Sequence, residues 1–243
     1  MTNKRAIVLL SGGLDSATTL YLAKKQRFNC VCLVFDYGQR HRREIIAAKK
    51  IAKISGCKWQ VVKIRFPWKG SSLLDRNLEV TKSQSHKVTR RIPNTYVPAR
   101  NIIFLSFALS YAEAIKAQAI FIGAHSQDYS GYPDCRPQFF RAFDNMACVG
   151  TKCGLEKKKI AIRAPLLYKN KAEIIKIGYN LGVPLALTWS CYRGVRRPCG
   201  KCESCYFRAK GFKEAGIRDG SQLNREVSLS GDTSALAREP SLQ

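Results

Sequence analysis

The 243 residues contain no uninterrupted apolar run approaching the roughly 20 residues that a membrane-spanning helix needs. The start, "MTNKRAIVLLSGG", is basic but its apolar run is only a few residues long, too short for the core of a secretory signal. A cytoplasmic protein with no membrane partner is therefore expected. The motifs G-x-x-x-x-G-K-S/T and G-x-G-x-x-G are both absent, which excludes a Walker A loop and the common dinucleotide fingerprint. No internal repeat is found. Acidic residues are scarce: 17 Asp and Glu face 42 Lys and Arg, a formal charge of +25. An excess of this size attracts polyanions. The cations run from Lys4 to Arg238 without gathering in one tail. Charge alone thus leaves open a solvated basic surface, steering of small anions, and contact with nucleic acid.

What is present is an ordinary globular composition, 45% hydrophobic, long enough for one α/β domain with a sizeable core and a small appendage. Short β-branched runs at 6–10, 29–36 and 59–65 alternate with helical patterns from Ser16 onward and at 42–55, where Gly56 is placed to stop the second helix. This βαβαβ order predicts a parallel sheet with right-handed crossovers and ligand loops at the carboxyl ends of the strands. Residues 66–97 lose periodicity and predict a long loop, read as a lid, an oligomer contact or a plain surface excursion. Residues 99–117 are apolar nearly all round and predict a buried helix, followed by a strand at 119–125. A helix at 137–149, a basic connection, a strand at 160–163 and a helix at 171–181 complete the pattern, with Gly182 and Pro184 as the last stop. The polar residues 219–243 are expected to be disordered.

The stretch "IVLLSGGLDSATTL", Ile7 to Leu20, joins the first strand to the first helix. Gly12 and Gly13 let the backbone take positive φ and approach a ligand closely. Loop N–H groups and the helix N-terminus then converge on one point that favours an anion, phosphate first among them. The plainer reading is a strand-to-helix turn with Asp15 or Ser16 as N-cap.

Ten cysteines in a reducing compartment point to metal ligation or catalysis before disulfides. Cys30 and Cys32 share one face of a strand and read as small core residues. Cys191, Cys199, Cys202 and Cys205 form C-x7-C-x2-C-x2-C, a spacing that can wrap one Zn²⁺ in a closed, structural site. An iron–sulfur ligand run, a disulfide pair or free thiols are the other readings.

Taken together, "SGGLDS", "FDYGQRH", "VPARN", "GAHSQDYSGYPDCR", "APLLYKNKAEII" and "TWSCYRG…PCGKCESC" resemble the 7-cyano-7-deazaguanine (preQ0) synthase family of the N-type ATP pyrophosphatases, over about residues 5–215. The resemblance implies an α/β, parallel-sheet, Rossmann-like PP-loop fold with helices on both faces. It divides the chain into a pyrophosphatase domain at 1–185, a four-cysteine zinc region at 186–218 and the tail at 219–243. It implies an ATP-dependent C–N ligase that turns 7-carboxy-7-deazaguanine and ammonia into a nitrile through adenylated carboxylate and amide intermediates, with AMP and pyrophosphate released. Leu10, Ser11, Gly12, Gly13, Leu14, Asp15, Ser16, Ala17, Thr18, Thr19 and Leu20 would cradle ATP, Asp15 standing near Mg²⁺. Lys169 would neutralise phosphate charge. Tyr37, Gln39, Arg100, Asn101, His125, Asp128, Tyr132, Asp134 and Arg136 would bind the substrate. There the carboxylates of Asp128 and Asp134 would accept from a guanine-like edge, Tyr129 and Tyr132 would stack, and Arg100 and Arg136 would hold the acyl group. His41 and His125 are either proton carriers or simply hydrogen-bonded residues. A homodimer is implied as well.

Two other functions fit parts of the pattern. A PP-loop tRNA-thiolating enzyme would suit the charge but needs reactive cysteines outside the metal site, a role Cys135 or Cys153 could fill, and an RNA-binding module, which is not visible. A non-catalytic zinc-ribbon nucleic-acid binder would leave the pyrophosphate loop and "GAHSQDYSGYPDCR" without use.

Overall fold

Alternation of buried side chains along short strands decides the layering. In a computed structural model, which describes residues 4–40, 42–75, 77–80, 92–125, 131–193 and 197–221, five parallel strands lie in the order β3-β2-β1-β4-β5. They are β1 (Arg5–Leu9), β2 (Asn29–Asp36), β3 (Lys58–Lys63), β4 (Ala119–Phe121) and β5 (Ala161–Arg163). Ala6 and Val8 of β1, Cys30, Cys32 and Val34 of β2, and Phe121 of β4 face one core. Ile7, Leu9, Leu33, Phe35 and Ile120 face the other. Period-two burial on both faces is what a sheet covered by helices on each side requires.

The first core is closed by α1 (Leu14–Lys25), α2 (Arg43–Ile54), α6 (Lys171–Asn180) and α7 (Glu203–Ala215). The second is closed by α3 (Arg100–Ala114) and α4 (Pro137–Val149), through Leu105, Ala108, Phe140 and Phe143. The expected α/β parallel sheet with helices on both faces is thus the observed fold. Cys30 and Cys32 are buried in the first core with Cys57, as small core residues should be.

Several expectations are corrected. The helix at α3 is not buried all round: Leu105, Ala108 and Ala112 are fully covered, whereas Ile102 and Phe107 are 42% and 46% exposed. An apolar outer face therefore remains on a helix that covers only one side of a sheet. The strand expected at 119–125 ends at Phe121, and the chain then runs as a loop past Gly123. The basic connection at 151–159 holds a short helix, α5 (Lys152–Leu155), capped by Thr151, whose Oγ1 accepts from Gly154 N at 3.0 Å. The disorder expected from residue 219 does not hold at its start, because Asp219 is buried and pairs with Arg208, Oδ2 to Nε at 2.6 Å. Residues 222–243 lie outside the described residues.

In the 66–97 segment, Ser71 and Ser72 are fully buried and Val80 packs against the cysteine cluster, so the described part of this loop is anchored. Among the described residues no helix is long and apolar enough to cross a membrane.

Candidate active site at the switch of the sheet

Strand order reverses between β1 and β4, so their carboxyl-end loops separate and leave the crevice in which open α/β sheets bind ligands. Gly12 occupies the β1 loop at φ +84°, and a Cβ there would stand 2.2 Å from the carbonyl oxygen of Glu44. Gly13, by contrast, is extended and is the N-cap of α1, not Asp15 or Ser16. No side chain caps α1. The Asp15 carboxylate takes its own backbone N–H, and with no N-cap side chain in the way this helix start is a setting that suits an anion. Ser11 and Ser16 brace the loop, their Oγ atoms 3.0 Å apart. From β4, Gly123 lies so close that a Cβ would meet Ser16 N at 2.9 Å.

Three side chains from distant motifs meet at this terminus. Lys171 Nζ donates to both oxygens of Asp15, at 2.8 and 2.9 Å, and lies 3.0 Å from His125 Nε2. His125 Nε2 is 3.6 Å from Asp15 Oδ2. Burial pushes the Asp15 carboxyl up, but the neighbouring Lys171 and His125 outweigh it and hold it below the usual carboxylate range. Lys169, expected at the phosphate, instead places its ammonium 2.9 Å from Glu173 Oε1. The reason is local. Asn170 and Glu173 form a reciprocal capping box that starts α6. Lys169 then precedes the cap, while Lys171, the first helical residue, reaches Asp15. The N-x-x-E signature stands in the sequence and is the signal that could have selected Lys171.

Of the eleven residues expected around ATP, Leu10, Leu14, Ala17, Thr18, Thr19 and Leu20 are buried in or beside the core, so they shape the loop from beneath. Ser11, Gly13 and Asp15 are the members with exposed or half-exposed faces.

A second group of polar residues lies at the ends of β2 and α3. Arg100 Nη1 donates to Tyr37 Oη at 3.3 Å, with its guanidinium 5.8 Å from the Tyr37 ring centre. Burial pushes the Tyr37 hydroxyl up to about 12 despite Arg100. Gln39 Nε2 donates to Glu44 Oε1 at 2.9 Å and to Phe35 O at 3.0 Å. Burial raises Glu44 to about 7, with Gln39 and Arg100 offsetting part of the rise. Glu44 is not picked out by sequence reasoning, since an acid in the first turn of a helix reads as a dipole partner.

Asn101 N donates to Asp134 Oδ2 at 2.9 Å, so buried Asp134 fastens the first turn of α3. Tyr132 Oη lies 2.6 Å from Thr95 Oγ1. Arg136 is exposed at the N-cap of α4. Asp128, Tyr129 and His41 lie outside the described residues.

The sulfurs of Cys191, Cys199, Cys202 and Cys205 all lie within 4.8 Å of one another. Cys199 Sγ accepts from Lys201 N at 3.4 Å and from Cys202 N at 3.3 Å, and Gly200 makes the turn at φ +70°. Four convergent thiols with amides aimed at a sulfur fit a tetrahedral Zn²⁺ and leave no position for a substrate. The cluster also touches the crevice, for Trp189 N donates to Gly12 O at 2.9 Å and the Arg43 guanidinium lies 5.3 Å from the Trp189 ring centre.

The family model described as the queuosine biosynthesis protein QueC matches residues 5–216. A 7-cyano-7-deazaguanine synthase of Thermoplasma volcanium is 49% identical over 216 residues, 89% of each chain. The 7-cyano-7-deazaguanine synthase 2 of Desulfitobacterium hafniense is 52% identical, covering 89% of this chain and 91% of its relative. Among solved structures, the NMN synthetase of Francisella tularensis superposes with a TM-score of 0.50 at 12% identity, over 100% of this chain and 90% of the other, a likeness of fold alone.

Proposed function

The chain belongs to the QueC family of queuosine biosynthesis, and from that membership we infer that it is an ATP-dependent 7-cyano-7-deazaguanine synthase acting on 7-carboxy-7-deazaguanine and ammonia. A carboxylate is a poor electrophile. Transfer of an adenylyl group from ATP makes its oxygen part of a leaving group, ammonia displaces AMP to give the amide, and a second activation lets the amide lose its oxygen to give the nitrile. The observation that carries this reading is the meeting of Asp15, His125 and Lys171, from three separate motifs, at the uncapped start of α1.

In this reading the α1 amides hold phosphate oxygens and Lys171 offsets the charge that grows as the α-phosphate is attacked. Lys169, held by Glu173, is the weaker candidate for that role. Asp15 would hold Mg²⁺ brought in with the nucleotide, in competition with Lys171 for its two oxygens. Zn²⁺ held by Cys191, Cys199, Cys202 and Cys205 would tie the loop-like segment together.

Tyr37, Gln39, Arg100 and Tyr132 would contribute to the substrate site, with Arg100 as the carboxylate partner, a grouping that the Arg100–Tyr37 hydrogen bond supports. With Asp134 fastened to α3, Asp128 is the better carboxylate of the two for the guanine-like edge. The exposed apolar side chains of α3 support a homodimer, which light scattering measures directly.

Zinc-replete protein incubated with Mg²⁺-ATP, an ammonium salt and 7-carboxy-7-deazaguanine should yield the nitrile by mass spectrometry, with AMP and pyrophosphate by nucleotide analysis. Folded, zinc-loaded protein that makes neither nitrile nor amide overturns the assignment.

A further inference from the structure

The cations run the length of the chain but are denser in one segment than elsewhere. Ten of the 42 Lys and Arg residues fall between residues 40 and 69, with Glu44 as the only carboxylate among those thirty. This segment forms α2 and β3, and β3 is the terminal strand of the sheet. The outer face of α2 exposes Arg42, Arg43, Lys49, Lys50 and Lys53, while its inner face carries Ile45, Ala48 and Ile51 into the core. The two elements thus join into one basic edge.

At the top of this edge, where α2 begins and β3 ends, Arg42, Lys63, Arg65 and Lys69 line a cleft of about 550 Å³. Among the described residues, none of these four side chains enters an ion pair or hydrogen bond, and Asp36 is the only carboxylate lining the cleft. Phe66 and Trp68 also line it, stacked with ring centres 5.2 Å apart and planes inclined by 24°. Trp68 is 46% exposed, and Trp59 on the same edge is 41% exposed. Two of the chain's three tryptophans therefore stand partly in water on this basic edge. Leaving such area wet forgoes hydrophobic stabilisation, and exposed aromatic area of this kind marks interaction sites.

We propose that the α2–β3 edge binds single-stranded nucleic acid, with a base on the Phe66–Trp68 stack and phosphates on the cations that line the cleft and continue along α2. Cationic grooves with accessible aromatic rings are how proteins bind single strands without reading sequence. A second copy of this chain is a poor occupant, because two such faces repel. A bilayer is a poor one as well, since the rings stand in a concave cleft that a flat lipid surface does not enter. A duplex keeps its bases stacked inside and offers none to Trp68. The cleft adjoins the proposed substrate cluster, since Tyr37 also lines it, but Arg42, Lys63, Arg65, Lys69, Phe66 and Trp68 have no part in the nitrile synthesis proposed above.

The test is fluorescence anisotropy of a labelled 15-nucleotide oligouridylate titrated with the full chain at several KCl concentrations. Four phosphate contacts predict a slope of log K against log salt of about −3. Loss of a stacking ring, Trp68→Ala, should weaken binding about tenfold or more. The triple variant Lys63→Ser, Arg65→Ser, Lys69→Ser should weaken it further and flatten the slope. The control removes three cations elsewhere, Lys152→Ser, Lys157→Ser, Lys158→Ser, and should leave affinity within about twofold, since exposed charges separated by more than the Debye length of about 8–10 Å are screened. Thermal melts verify that each variant is folded. Equal losses in the two triple variants with no effect of Trp68→Ala would mean diffuse attraction to net charge and overturn the proposal. It is also overturned if an RNA duplex of the same length binds as tightly, or if the chain pellets with phosphatidylserine vesicles but leaves the oligonucleotide's anisotropy unchanged.

Discussion

The crevice at β1 and β4 and the four-cysteine cluster are built in opposite ways. Asp15 and Lys171 stand 156 positions apart in the chain with His125 between them, yet regular elements around one sheet bring the three within 3.6 Å of one another. The cysteines lie within fifteen consecutive positions, 191–205, and only the last of them stands inside a helix. The first site is held by the hydrophobic core and needs no ligand to form. The second has little core of its own and draws its order from the metal it can bind. They are nevertheless coupled, since Trp189, two residues before Cys191, donates its N–H to the Gly12 carbonyl. Loss of zinc should therefore reach the catalytic loop and not only the C-terminal region.

The largest expected effect falls on the first site alone. Lys171→Met should lower kcat for nitrile formation by roughly 10²–10³, the range for removing one preorganised donor from a developing negative charge, with zinc content unchanged. Lys169→Met should cost under about tenfold. Equal losses in the two variants would mean that Lys171 has no special place. Next comes the metal. Cys202→Ser should lose the bound zinc by atomic absorption and weaken ATP binding along with it. A variant that lost zinc but bound ATP normally would break the link through Trp189.

A third variant probes the buried pair that ties α7 to the end of the described chain. Arg208 donates to both oxygens of Asp219, at 2.6 and 2.9 Å, and to Thr188 Oγ1 at 2.8 Å. Asp219→Asn leaves Arg208 buried without its counter-charge and should cost about 3–5 kcal/mol by urea melts. Burial raises the Asp219 carboxyl, but Arg208 holds it below its ordinary value. Its stabilisation is therefore complete above about pH 4 and is lost as pH falls through the lower folded value, so the variant should flatten the acid limb.

The smallest effect concerns Glu44, which burial raises to about 7. The folded chain keeps a proton there that the unfolded chain releases above about pH 4, so this group makes the protein more stable as pH falls from 7 toward 4. Glu44→Gln, always neutral, should remove that rise, seen by comparing urea melts at pH 5 and pH 8. An unchanged pH dependence would show that Glu44 is ionised throughout.

Much of the fold is legible in the order of the amino acids. The strand at 29–36 and the helix at 43–54 carry their patterns openly, and Gly56 and Gly182 stop their helices at φ +69° and +68° as expected. The helix α3 misleads because an all-apolar helix does not say whether its outer face meets protein or solvent. Asp134 misleads for a related reason, since a carboxylate in a promising loop can equally be spent on the first turn of the next helix.

Local chemistry is what the sequence settled by itself. Four thiols at metal spacing and the Ser11–Ser16 turn between strand and helix each keep their meaning in any fold that contains them, because spacing along the backbone fixes which atoms can meet. The tertiary structure decided which of two lysines faces Asp15, and it placed the cation-rich segment 40–69 at the edge of the sheet, where β3 is the terminal strand. Those facts depend on where helix caps and strand order send each side chain, and contacts between residues far apart in the chain exist only once the sheet has closed around its core.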